Sequence, residues 1–149
     1  MASNQIESVD ITSSVKASPD KFYNFFKFEI NDLLKIVPTV FIGVKLLEGE
    51  EGKVGCVKQW NYILGAIPMS AKLKLTALDD TAKTITFSVL EGDLLVLYKS
   101  FVASLEFTEG FAKCTFTYEK STLLSPPPEA YVVIVKSIFM LLDAYLLLV

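Results

Sequence analysis

The sequence predicts an α+β domain in which a mainly antiparallel sheet packs against one long C-terminal helix. Three observations predict it. Between Val40 and Lys120, apolar and polar residues alternate in short runs separated by Gly- and Asp-containing turns, the pattern of consecutive strands. Helical spacing is confined to a segment after Ser18 and to the apolar stretch after Pro128. No linker or internal repeat interrupts the 149 residues, so a single domain over 1–149 is expected.

Each element has its own warrant. Ile6, Val9, Ile11 and Val15 are apolar among polar neighbours and predict a first strand. Ser18-Pro19-Asp20 supplies an N-cap, a proline at the first helical position and an acid at the positive end of the helix dipole. Phe22, Phe25, Phe26 and Ile30 follow at helical spacing. Pro38 disfavours helix at Val37, so Glu29 to Ile36 is a short second helix or the tail of the first. Val40 to Leu47 reads as a strand, 48–53 as a turn, and Gly55 to Leu64 as the next strand. Met69 to Leu78 sets Leu73, Leu75 and Ala77 against Lys72, Lys74 and Thr76. After Asp79-Asp80-Thr81, Thr84 to Leu90 alternates with Ile85, Phe87 and Val89 inward. Glu91-Gly92-Asp93 is a hairpin loop leading into a long strand, Leu94 to Phe107. Glu109-Gly110 turns into Phe111 to Lys120, where Cys114, Phe116 and Tyr118 share one face. Ser125-Pro126-Pro127-Pro128-Glu129 opens a terminal helix running to Leu148. A curved sheet cannot fill all the space beneath a straight helix, so an apolar hollow suited to small molecules is expected.

Composition narrows the chemistry. With 52% hydrophobic and 21% charged residues the chain is not disordered. Fourteen basic against seventeen acidic residues, net −3, gives no electrostatic drive toward nucleic acid. The chain has no histidine, which excludes Ser-His-Asp and Cys-His sites and the usual zinc sites, so neither metal nor cofactor is expected. Cys56 and Cys114 form no CxxC pair, and the first residues lack the basic and apolar regions of a secretory signal. A reducing, cytoplasmic location is the expectation.

Several motifs then carry a resemblance. Gly55-Cys56-Val57-Lys58-Gln59-Trp60-Asn61-Tyr62 resembles the glycine-to-WNY strand of the plant major latex proteins. Glu91-Gly92-Asp93-Leu94-Leu95 with Tyr98-Lys99-Ser100-Phe101 resembles their EGDL…YKSF hairpin. Tyr118-Glu119-Lys120 and Pro126-Pro127-Pro128-Glu129-Ala130 resemble their YEK and proline-rich helix start. That family belongs to the birch-pollen-allergen-like (Bet v 1-like, pathogenesis-related class 10) superfamily. The resemblance implies the helix-grip, START-like fold: a seven-stranded antiparallel curved sheet around a long C-terminal helix, with two short helices closing a cavity. It also implies a cytosolic binder of lipophilic small molecules such as steroids, hormones, flavonoids or alkaloids. The form of the WNY strand looks most like an opium-poppy group that includes enzymes closing or isomerising benzylisoquinoline alkaloids.

Candidate ligand-binding residues follow from the faces of these elements. The first helix offers Phe22, Phe26 and Ile30. Alternation puts Cys56, Lys58, Trp60 and Tyr62 on one face of their strand. If that face meets the hollow, Lys58 is a desolvated base or amine; otherwise it reaches solvent or pairs with Glu48, Glu50 or Glu51. Leu73, Leu75, Phe87, Val89 and Phe116 come from the later strands. Tyr98 is placed in the cavity, unless a bulge reverses its strand's register. Gly49, Gly52 and Gly55 read as a hairpin loop at the cavity mouth, because Glu50 and Glu51 would repel a phosphate. Cys56 and Cys114 lie on strands that the family topology keeps apart and read as small buried hydrophobes.

In the terminal helix Glu129, Lys136 and Asp143 recur every seven residues and predict a solvent stripe. Tyr131, Ile134, Ile138, Leu141, Leu142 and Tyr145 are placed over the cavity. Lys136 and Asp143 would each cost about 2.5–3.5 kcal/mol at mid-bilayer, so no transmembrane segment is expected. The helix's remaining apolar flanks suit a homodimer or membrane-surface contact. Two functions share the hollow: a carrier for a lipophilic ligand, or a cofactor-independent isomerase or cyclase using Lys58, a tyrosine or a glutamate.

Overall fold

The computed structural model describes residues 5–149. Strand β1 (Ile6–Ser14) leads into helix α1 (Pro19–Phe28), a 3-10 turn (Ile30–Asp32) and the short helix α2 (Leu33–Ile36). Strands β2 (Phe41–Glu48), β3 (Val57–Leu64), β4 (Ile67–Asp79) and β5 (Thr84–Gly92) follow. After a second 3-10 turn (Asp93–Val96) come β6 (Tyr98–Thr108), β7 (Phe111–Lys120) and helix α3 (Glu129–Leu146). The strands form one antiparallel seven-stranded sheet in the order β1-β7-β6-β5-β4-β3-β2.

The expected caps hold α1. Ser18 Oγ accepts from Lys21 N at 3.2 Å, and Pro19 occupies the first turn. α2 stops at Val37, whose backbone (φ −126°, ψ 62°) has left the helical region that the following proline disfavours. The phenylalanines of α1 build a filled core at one end of the sheet. Phe107 lies between Phe22 and Phe26, stacked on them at 5.3 and 5.4 Å between centroids. Phe139 of α3 meets Phe22 and Phe107 edge-on, each at 6.4 Å.

The long strand expected from Leu94 starts late. Gly92 passes so close to β4 that a Cβ there would lie 2.4 Å from Ser70 O. Asp93 Oδ2 then accepts from Ser70 N at 2.9 Å. These contacts with a distant strand turn Asp93–Val96 into a 3-10 turn, and β6 begins at Tyr98. α3 likewise begins at Glu129, after the prolines.

The solvent stripe on α3 needs one correction. Asp143 faces the junction of β1 and α1, where its carboxylate accepts from Lys16 N at 3.0 and 3.1 Å and from Ala17 N at 2.8 Å. Lys21 Nζ donates to Leu146 O at 3.1 Å and Val149 O at 2.8 Å, satisfying carbonyls at the helix end. Asp143→Ala should therefore lower stability by about 2–3 kcal/mol, read as a fall in the urea midpoint. Asp143→Asn keeps one acceptor oxygen and should lose less.

α1 is also tied to the β4–β5 turn. Tyr23 Oη donates to Asp80, and Lys27 Nζ reaches the same carboxylate at 2.9 Å. The ammonium groups of Lys83 and Lys27 lie 5.3 and 5.9 Å from the Tyr23 ring centroid. The Tyr23 hydroxyl, then Lys27, hold the Asp80 carboxyl below the usual carboxylate range. A depressed acid stabilises the fold above its unfolded value of about 3.9, and that contribution is lost as pH falls through the folded value. Urea midpoints measured from pH 6 down to pH 3 should fall less steeply in Asp80→Asn than in the parent.

Candidate ligand-binding cavity

The concave face of the sheet and the first turns of α3 enclose a cavity of about 180 Å³. Alternation selects the floor: Trp60 and Tyr62 on β3, Ala71 and Leu73 on β4, Phe87 and Val89 on β5. Phe101, Ala103 and Leu105 of β6 and Cys114 and Phe116 of β7 continue it. Cross-strand pairing explains why the space stays open. Ala71 lies opposite Trp60, and Ala103 lies opposite both Phe87 and Phe116, so small side chains face large ones across the curve. Tyr131, Ile134, Val135, Ile138 and Phe139 of α3 form the roof. Phe26, Ile30, Leu33, Phe41 and Leu94 close the sides. Phe26 and Phe139 thus belong both to the wall and to the filled aromatic core.

Among the described residues no charged side chain lines this wall. Its principal polar feature is the Tyr62 and Tyr131 hydroxyl pair, 2.6 Å apart. Burial raises both phenols above their ordinary value; their shared hydrogen bond raises Tyr131 further and partly offsets the rise at Tyr62. Nearby Asp93 adds to both rises. Burial also pushes the Cys114 thiol up to about 12, with a smaller contribution from Asp10. Both cysteines are free and buried. Among the described residues no cluster of Cys, Asp and Glu is arranged to hold a metal ion.

Of the residues expected at the ligand site, Phe26, Ile30, Trp60, Tyr62, Leu73, Phe87, Val89, Phe116, Tyr131, Ile134 and Ile138 line the cavity. Lys58 and Leu75 line instead a side pocket of about 20 Å³, together with Gly52 and Cys56. Lys58 is 6% exposed, yet it is paired: its ammonium donates to Glu51 and, at 2.7 Å, to Asn31 Oδ1. Burial and the glutamate pairing, posed as alternatives, coexist because the β2–β3 loop folds over the lysine. Gly52 in that loop has φ +76, and a Cβ there would lie 2.8 Å from Lys27 O, so the loop leans on the end of α1.

Phe22, Tyr98, Leu141 and Leu142 do not reach the cavity. Phe22 lies behind Phe107 in the filled core. A bulge between Tyr98 and Ser100 shifts the register of β6. It sends Tyr98 against Phe101 and Tyr118, with its hydroxyl donating to Pro126 O at 2.6 Å. Leu142 is buried beyond the hollow and Leu141 faces outward, because α3 covers the cavity only with its first turns. Tyr145, also placed over the cavity, packs against Phe25 at 6.5 Å. Among the wall residues not anticipated, Phe101, Ala103 and Leu105 share a parity with buried Phe107, and Cys114 shares one with Phe116. That periodicity was present but masked by apolar residues on the other face of β6.

A family model described as the pathogenesis-related protein Bet v 1 family matches residues 3–148. The chain belongs to the Bet v 1 family. Within it, the chain is 38% identical over 125 residues to major latex protein 146 of Papaver somniferum, covering 80% of this chain and 77% of that one. In structure it is similar to ginseng major latex-like protein 151 from Panax ginseng, with TM-score 0.90, 30% identity and coverage of 94% and 97%. A norcoclaurine synthase from Thalictrum shares the fold at TM-score 0.77 and 15% identity, over 99% of this chain and 98% of that one. The seven-stranded curved sheet gripping α3 is thus the Bet v 1 arrangement. Among the described residues no helix is long and apolar enough to cross a membrane.

Proposed function

We propose that this Bet v 1 family protein is a cytosolic carrier or store for a lipophilic small molecule held between the sheet and α3. The supporting observation is the uncharged wall of aromatic and aliphatic side chains around open space, which gives apolar area without filling it. Trp60, the single tryptophan, stands in that wall and reports occupancy by its fluorescence. Steroid, flavonoid and alkaloid probes titrated against Trp60, with native mass spectrometry of the purified protein, test the reading. A saturable response with one guest per chain supports it; no response and no guest end it. The cytosolic location rests on the two free, buried cysteines.

The isomerase or cyclase alternative has less behind it. A general base works best with a pKa near the operating pH. The wall offers two raised phenols and a raised thiol, while Lys58 is engaged by Glu51 and Asn31 outside the main cavity. Turnover of a benzylisoquinoline precursor that disappears in Lys58→Met would restore it.

The outer face of α3 suits a second copy of this chain. Val133, Ser137, Met140, Ala144 and Leu147 recur at alternating steps of four and three, a heptad seam with small residues between large ones. Val133, Met140 and Leu147 are exposed. Light scattering should show a dimer that Met140→Lys disperses; a monomer that floats with liposomes would assign the face to a membrane surface instead.

A further inference from the structure

The Tyr62 and Tyr131 hydroxyls come from opposite sides of the cavity, one from β3 and one from the first turn of α3. Their rings meet edge-on at 6.0 Å between centroids, and their oxygens lie at hydrogen-bond distance, 2.6 Å. Two phenols carry two O–H donors, and one shared hydrogen bond uses only one of them. Among the described residues neither hydroxyl has a second protein partner. One donor is therefore free for a further acceptor at this end of the cavity.

The geometry points to a guest that supplies the missing acceptor: a neutral, mostly apolar molecule with one carbonyl, ether or hydroxyl oxygen at the end meeting Tyr62 and Tyr131. This rests on the carrier reading and narrows its ligand class. The phenol that donates to the guest also accepts from its neighbour, which polarises its O–H and strengthens the donation. Neutrality follows from the wall. An ionised guest would lose its hydration with no counter-charge among the lining residues. Asp93, near enough to raise both phenols, makes this end still less hospitable to a carboxylate or phosphate. Burial keeps both phenols protonated, so the donor persists across physiological pH.

The test compares 9-fluorenone, fluorene, fluorene-9-carboxylate and 9-aminofluorene, one tricyclic skeleton with a ketone, no polar group, an anion and an amine. Affinities are read from Trp60 fluorescence. The parent should bind fluorenone about 10-fold tighter than fluorene, the yield of one good hydrogen bond, and the two charged probes more weakly than the ketone. Tyr62→Phe and Tyr131→Phe should each keep part of the preference, because the remaining phenol can donate directly. The double variant should bind ketone and hydrocarbon alike, with its urea midpoint confirming that it is folded. Equal binding of ketone and hydrocarbon by the parent, a preference that survives in the double variant, or tighter binding of the carboxylate or the amine overturns the assignment. If no fluorene derivative binds but a steroid, flavonoid or alkaloid probe does, this inference falls and the carrier reading stands; if none of them binds and no guest co-purifies, both fall. If fluorene binds as well as fluorenone, only the oxygen-recognition claim falls.

Discussion

Ala103→Phe should weaken ligand binding by about 10- to 100-fold while leaving the protein folded. Ala103 is the small residue between Phe87 and Phe116 on the floor of the cavity. A benzyl group there takes up part of the open space above the floor, so it competes with a guest. In a close-packed core such an insertion costs about 1–3 kcal/mol; over a hollow that cost falls or changes sign. Titration followed by Trp60 fluorescence, with urea unfolding of the same sample, separates the two effects. An Ala103→Phe protein that binds as tightly as the parent would place the guest elsewhere.

Phe22→Ala should have the opposite signature. Phe22 is 0% exposed and packs against Phe107 and Phe139. Truncating a buried phenylalanine costs about 3–5 kcal/mol, a large share of the roughly 5–15 kcal/mol that holds a domain together. The urea midpoint should fall by about 1–3 M. Phe22→Leu, which leaves less empty volume, should remain folded and bind ligand with the parent's affinity, since Phe22 does not touch the cavity. A loss of affinity in the folded leucine variant would show that the aromatic core and the cavity wall act as one unit.

These two phenylalanine and alanine positions also show what could be read before folding. Phe22 and Phe26 occupy one helical face, and spacing alone assigns both to the interior. Which of them meets open space depends on Phe107, a residue far along the chain that fills the gap beside Phe22. Tyr98 makes the same point for a strand. Strict alternation from Phe101 would turn it outward; a bulge brings it onto the face of Phe101 and Tyr118, beyond the end of the hollow. Asp143 recurs with Glu129 and Lys136 every seven residues, which assigns it to a solvent stripe, yet its carboxylate accepts from two backbone amides at the junction of β1 and α1.

Local chemistry alone determined the order of strands and helices, the capped start of α1, most turns, the absence of histidine chemistry and the Bet v 1 motifs. Hydrogen bonding and hydrophobic periodicity act over a few residues, so they are written into neighbouring positions. Only the tertiary structure decided which apolar side chains border a void, that Lys58 is both buried and paired, and that Tyr62 meets Tyr131. Those outcomes depend on sheet curvature, on which small residue lies across from which large one, and on the path of α3 over the sheet. Each is a relation between distant segments, and no window of sequence contains both partners.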